Sequence, residues 1–220
     1  MRQEVRLSNS LICPKGPVIG PLVVAGFLID EKNLDKLDRL GVKDSKLLTT
    51  KKREELAKKL RKYKHEIMVV EPVEIDRALI GHDGLNLNWL EARKTAELIN
   101  ELNPDKAIID CPSPNIKAYT SYIRDYIHNK EIELVCEHKA DLKYKVVGAA
   151  SILAKETREE EVRKIEKAVG QSIGSGYASN KICQAFLEAN WDKYPEVFRK
   201  SWESYKRVLR QQGQKSLGDY

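Results

Sequence analysis

Two aspartates stand at places where chemistry is often done. Asp110 closes the short apolar run KAIIDC (106–111), and Asp141 closes EIELVCEHKAD (131–141). Each run reads as a strand, and in an α/β sheet the ends of strands face the crevice where ligands bind. Two carboxylates brought together there repel one another unless a cation lies between them, so such a pair points to Mg²⁺ or Mn²⁺. On these two residues alone the plainer reading stands ahead: Asp110 as a turn residue and Asp141 as a helix cap.

The elements around them alternate. GPVIGPLVVAGFLID (16–30) predicts a buried strand after a turn, itself preceded by a first strand that runs into Leu11 and Ile12. TTKKREELAKKLRKY predicts a helix with Thr49 or Thr50 as N-cap and Leu56 and Leu60 on its inner face. HEIMVVEPVEI predicts a strand that stops at Pro72, with Glu74 opening a helix. The 85–102 segment places Leu87, Leu90, Ala96 and Leu98 near one face and ends at Asn103-Pro104. NIKAYTSYIRDYIHN (115–129) is an amphipathic helix. A long helix follows over 144–169, where Gly148, Ala149, Ala150 and Ser151 permit close packing. Helices over about 181–190 and 200–211 complete the pattern. Strands alternating with helices give an α/β layered domain. No linker divides residues 1–210, so one domain is expected there, followed by a flexible tail over 211–220.

Composition narrows the class. The chain has 220 residues, 33% of them charged and 41% hydrophobic, which suffices for one globular domain with a real core. With no signal-peptide pattern and no apolar run of membrane-spanning length, the expected location is the cytoplasm. The four cysteines, Cys13, Cys111, Cys136 and Cys183, show no CxxC spacing, which disfavours a zinc site or a disulfide framework. A net charge of +6 is weak evidence for a polyanionic partner. The basic run 51–65 reads as a solvated helix face rather than as a substrate contact, and the tail segment 200–215 is basic as well. His65, His82 and His128 have no partner pattern.

Four phrases change the weight given to the aspartates. KGPVIGPLVVAG (15–26), GVKDSKLLT (41–49), EHKADLKYKVVGAASILAK (137–155) and GSGYASN (174–180) occur in this order. Together they closely resemble ribonuclease HII, the type 2 ribonuclease H, and most nearly its archaeal members, over residues 15 to about 210. The resemblance implies a ribonuclease H-like fold: a central mixed sheet flanked by helices, with a C-terminal helical extension. It implies a monomeric endonuclease that cuts the RNA strand of RNA/DNA hybrids and nicks duplex DNA at embedded ribonucleotides. Two metal ions held by four carboxylates would act there. Asp110 matches the third carboxylate and Asp141 the fourth, with His138 in support.

The first two are absent. The family's opening motif is Gly-Ile-Asp-Glu-Ala-Gly-Arg-Gly, or the same with Lys for Arg. Aligned without a gap on Lys15-Gly16-Pro17, it places Leu11 at the Asp position and Ile12 at the Glu position. Cys13 takes the Ala position and Pro14 the first loop Gly. Neither Leu nor Ile can ligate a hard cation, and Glu4 and Asp30 do not lie at the motif position. The mismatch is confined to residues 3–14, while Asp110, Asp141, Tyr177 and the basic positions match. A chain with this sequence is expected to bind metal weakly and to cut poorly; the alternative is a non-catalytic binder of hybrid or ribonucleotide-containing duplex.

By the same resemblance Tyr177 stacks on the sugar that follows the ribonucleotide and couples the 2′-hydroxyl to cleavage. Without the motif it would read as a turn tyrosine. Lys15 and Gly16 retain part of the loop that reads the 2′-hydroxyl through its backbone, but Pro14 removes one N–H. Lys46 in DSK and Lys139 in HKAD are suited to phosphate contact. At the C-terminus, Gln214, Leu217 and Tyr220 have the Gln-x-x-Leu-x-x-aromatic spacing of a peptide that attaches archaeal replication and repair proteins to the sliding clamp. A frayed polar terminus reads almost equally well.

Overall fold

The computed structural model describes residues 3–9, 16–42, 48–81 and 85–218, of which 3–9 and 213–218 are described in backbone only. Among the described residues five strands form one mixed sheet: β1 (Gln3–Asn9), β2 (Leu22–Asp30), β3 (His65–Val70), β4 (Lys106–Asp110) and β5 (Glu133–Glu137), in the order β3-β2-β1-β4-β5. β1 runs antiparallel to β2 and parallel to β4, which is parallel to β5. The parallel β4–β5 pair needs a crossover, and α5 (Ile116–Tyr126) supplies it. Asn115 starts that helix by accepting from the Ala118 amide at 3.0 Å.

The described residues form two compact units, a division that no linker in the sequence announces. The first takes in the described residues of Met1–Ile12, Val23–Val69 and Leu87–Thr157. Alternate residues of β2, Val23, Ala25, Phe27 and Ile29, bury one sheet face. Against it lie Leu37 of α1 (Asp35–Leu40), Leu56 and Leu60 of α2 (Thr50–Leu60), and the leading turns of α7 (Lys145–Val169). There the small run at 148–151 lets α7 approach closely, since Ala149 and Ala150 are fully buried. Thr49 caps α2 as expected, accepting from the Lys52 amide. Elsewhere in this unit α4 (Leu87–Leu102) packs on α5 and on β1, and α5 on β5.

The second unit takes in the described residues of Cys13–Leu22, Val70–Asn86 and Arg158–Tyr220. It contains α3 (Pro72–Ile80), α7 from Arg158 onward, α8 (Lys181–Asn190) and α9 (Glu203–Gly218). Val18, Ile19, Ile173, Cys183, Phe186, Phe198 and Tyr205 form its core.

Three local expectations are corrected. The strand read over 16–30 begins only at Leu22, because Pro17, Gly20 (φ +87°) and Pro21 cannot sustain a ladder; Ile19 makes a lone bridge to Phe198 instead. The strand read over 131–141 stops at Glu137. Lys139 then takes a left-handed conformation (φ +56°), and Asp141 lies in the first turn of the short helix α6 (Ala140–Lys143) rather than at a strand end. Finally, α9 continues to Gly218, so 211–218 is helical backbone where a flexible tail was expected.

Candidate active site

Asp110 ends β4, directly opposite Glu137 of β5 in register. The Cys111 amide donates to the Glu137 carbonyl at 2.8 Å, so the ladder continues one step past the aspartate and fixes its backbone. Half-buried, the Asp110 carboxylate accepts from the Ala140 amide at 3.0 Å. His138 Nδ1 lies 2.9 Å from the Cys111 carbonyl; a carbonyl only accepts, so Nδ1 carries the proton and donates. His138 therefore ties the segment before Asp141 to the one after Asp110. Lys139, placed by its left-handed backbone, is exposed at the start of α6.

Both carboxylate oxygens of Glu137 are engaged. Lys143 pairs with it and the Tyr144 hydroxyl donates to it at 3.1 Å, and these two contacts, Lys143 first, hold its carboxyl below the usual glutamate range. Among the described residues no group of three or more His, Cys, Asp and Glu could hold a metal ion. Asp110 and Asp141 therefore belong to no such group among the described residues.

Of the residues expected to meet substrate, Tyr177 and Gly16 belong to the second unit. Tyr177 is half-buried, with the Arg158 guanidinium 4.9 Å from its ring centroid. Gly176 beside it has φ +76°, and its carbonyl accepts from both the Val18 and Ile19 amides, at 2.9 and 3.2 Å. Gly16 is buried, and its carbonyl accepts from Trp202 Nε1 at 2.9 Å. The same segment is gripped by Arg199, which is only 2% exposed and donates to the carbonyls of Gly20 and Pro21 at 2.9 and 2.7 Å. Asp76 accepts from the Lys200 and Ser201 amides and so secures the turn that carries Arg199 and Trp202. Sequence reasoning missed Arg158, Arg199, Trp202 and Asp76. The available signal was an Arg-x-x-Trp spacing in FRKSW, which means nothing until the carbonyls it serves are known.

Leu11, Ile12, Lys15, Lys46 and Tyr220 lie outside the described residues, and Gln214 and Leu217 are described only as α9 backbone. The family model for ribonuclease HII matches residues 14–205. This chain belongs to the ribonuclease HII family. It is 41% identical over 199 residues to ribonuclease HII of Methanocella arvoryzae, spanning 89% of this chain and 88% of that one. The ribonuclease H2 structure from Pyrococcus horikoshii superposes with a TM-score of 0.84 at 36% identity, covering 95% of this chain and 98% of that one. A structure of the PCNA:RNase HII complex from Archaeoglobus fulgidus gives 0.78 at 34% identity, covering 92% and 95%. The ribonuclease H-like mixed sheet with added C-terminal helices is thus the observed fold, and the family is one of hydrolytic endoribonucleases. The family match begins at Pro14, two residues beyond Ile12.

Proposed function

We propose that this chain recognises RNA/DNA hybrids and duplex DNA with embedded ribonucleotides, as a repair or replication nuclease does, but cleaves them poorly. The observation that carries this reading is the donor set: Asp110 and Asp141 match the family while Leu11 and Ile12 offer only hydrocarbon. A divalent ion, Mg²⁺ or Mn²⁺, would find half of the expected oxygen ligands. Recognition depends on other residues. Tyr177 would stack on the sugar next to the ribonucleotide, Lys15 and Gly16 would meet the 2′-hydroxyl side, and Lys46 and Lys139 would contact phosphates.

The test compares the purified, sequence-verified chain with Leu11→Asp/Ile12→Glu. The unaltered chain is expected to bind hybrid with strong salt dependence and to cut it slowly. The double substitution should raise Mg²⁺- or Mn²⁺-dependent cutting by more than the ~10–100-fold that outer-shell changes produce at metal sites. Robust cutting by the unaltered chain would overturn the reading. An independent read of the first fourteen codons would show whether Leu11 and Ile12 are encoded as written.

A second reading concerns the C-terminus, favoured by the solved PCNA complex of a relative. Gln214, Leu217 and Tyr220 would engage a sliding clamp, Leu217 and Tyr220 filling an apolar pocket and Gln214 bonding at its edge. Titration of the clamp with the full chain decides it: saturable binding that Leu217→Ala and Tyr220→Ala abolish is expected, and binding untouched by both sinks it.

A further inference from the structure

Arg158 has no place in the chemistry described so far, and its surroundings are unusual for an arginine. It is 8% exposed, and among the described residues no carboxylate pairs with it. Nη2 donates to the Ser175 carbonyl at 2.6 Å, and the buried Nε has no hydrogen-bond partner. Taking a guanidinium out of water without a counter-charge is unfavourable, so the site must return something for it. What it returns is the face of Tyr177, whose ring centroid lies 4.9 Å from the guanidinium carbon.

We infer that Arg158 is the positioning residue that sets the plane of the Tyr177 ring and thereby determines how well this chain distinguishes a ribonucleotide from a deoxyribonucleotide. This rests on the reading of Tyr177 as the sugar-stacking residue. Four hydrogen bonds hold the turn around the ring. Arg158 takes the Ser175 carbonyl from one side, and the Val18 and Ile19 amides take the Gly176 carbonyl from another. The Asn180 amide donates to the Tyr177 carbonyl at 2.9 Å and closes the turn. Gly176 is required at its centre, because a Cβ there would lie 3.0 Å from the Ile19 carbonyl oxygen and 3.4 Å from Arg158 Nη2. With the backbone fixed, the guanidinium over one face of the ring is one of the contacts that restrict rotation of the side chain. A sugar then meets the opposite face at a set height. A planar guanidinium can do this; an ammonium, a compact hydrated point charge, cannot stack in the same way.

The experiment measures equilibrium binding of the full chain to two duplexes that differ by a single 2′-hydroxyl, one all-DNA and one with a single ribonucleotide, for Arg158→Met, Arg158→Lys, Tyr177→Ala and Arg158→Met/Tyr177→Ala. Arg158→Met should lower the preference for the ribonucleotide roughly three- to tenfold, and Arg158→Lys nearly as much. All-DNA binding should stay within about twofold, since a cation–π contact to Tyr177 carries no phosphate charge. The double variant should lose no more preference than Tyr177→Ala alone, because Arg158 acts through the ring. An unchanged preference in Arg158→Met, or losses that add, overturns the inference. Should Arg158→Met fail to fold by circular dichroism, Arg158→Lys decides on the same criterion. A Tyr177→Ala variant with full preference would instead remove the reading of Tyr177 itself, and this inference with it.

Discussion

The carboxylate of Asp110 accepts a 3.0 Å hydrogen bond from the amide of Ala140, the residue that precedes Asp141. The end of β4 and the start of α6 are therefore joined through one side chain, and the placement of each aspartate depends on the other's segment. Asp110→Asn keeps an oxygen acceptor for that amide and removes only the charge, so its melting temperature should stay near that of the unaltered chain. Asp110→Ala leaves the amide of buried Ala140 without its acceptor and should cost about 1–2 kcal/mol. Thermal melts of the two variants check this: equal Tm values would mean that the hydrogen bond contributes nothing.

Glycines with positive φ should differ sharply in their tolerance of alanine. At Gly176 both strain and crowding act, with the Ile19 carbonyl oxygen 3.0 Å from the added Cβ, so Gly176→Ala should cost about 2–3 kcal/mol. At Gly170 (φ +71°) nothing lies within 4 Å, and Gly170→Ala should cost only about 1 kcal/mol. Urea titrations of both variants would show the gap, and its absence would mean that the turn at 174–177 shifts easily.

A buried ion pair joins α2 to α7, Arg53 Nε lying 3.5 Å from Glu156 Oε2 with both side chains under 5% exposed. Removing Arg53 takes a counter-charge from a buried carboxylate, so Arg53→Met should destabilise by about 3 kcal/mol. Arg53→Met/Glu156→Leu removes both charges and should recover most of that loss, because the pair gains little over hydrocarbon of similar volume. A double variant as unstable as the single one would show that Glu156 serves other partners more than Arg53.

Burial pushes the thiols of Cys111 and Cys183 up to about 11, the charge of Arg158 opposing the effect at Cys183. Neither should react with a thiol reagent at pH 8 until the chain unfolds. At Cys183 a raised pKa means that the folded chain holds the proton more tightly than the unfolded one. The stability it contributes is present below the unfolded value of about 8.5 and fades as pH rises toward 11. Cys183→Ala should flatten that alkaline decline by on the order of 1 kcal/mol. Rapid labelling of the native chain, or an unaltered alkaline slope in Cys183→Ala, would contradict this.

Much of the fold was legible because periodicity and caps agree with the tertiary packing. Thr49, Pro72 and Asn103 mark real boundaries, and Leu56 and Leu60 do face the core. Asp110 was readable as the residue that closes a short apolar run, Ala107 to Ile109. Asp141 was readable as a carboxylate near a helix start, but the break after Glu137 was not, since it depends on a non-glycine residue, Lys139, adopting φ +56°. Local propensity does not announce that conformation. The supports of the recognition loop were illegible for a different reason. Arg199 and Trp202 serve the carbonyls of Gly20, Pro21 and Gly16 across some 180 positions of sequence, and backbone carbonyls leave no trace in residue types.

β1 is bonded along both edges, to β2 on one side and β4 on the other, and Leu11 follows it in sequence after only Ser10. A strand held on both sides is among the last parts of a protein to open, and its hydrogen bonds involve no side chain. Cellular quality control inspects how readily a chain unfolds, not whether it can cut. A chain held this way would pass that inspection whatever residues stand at positions 11 and 12.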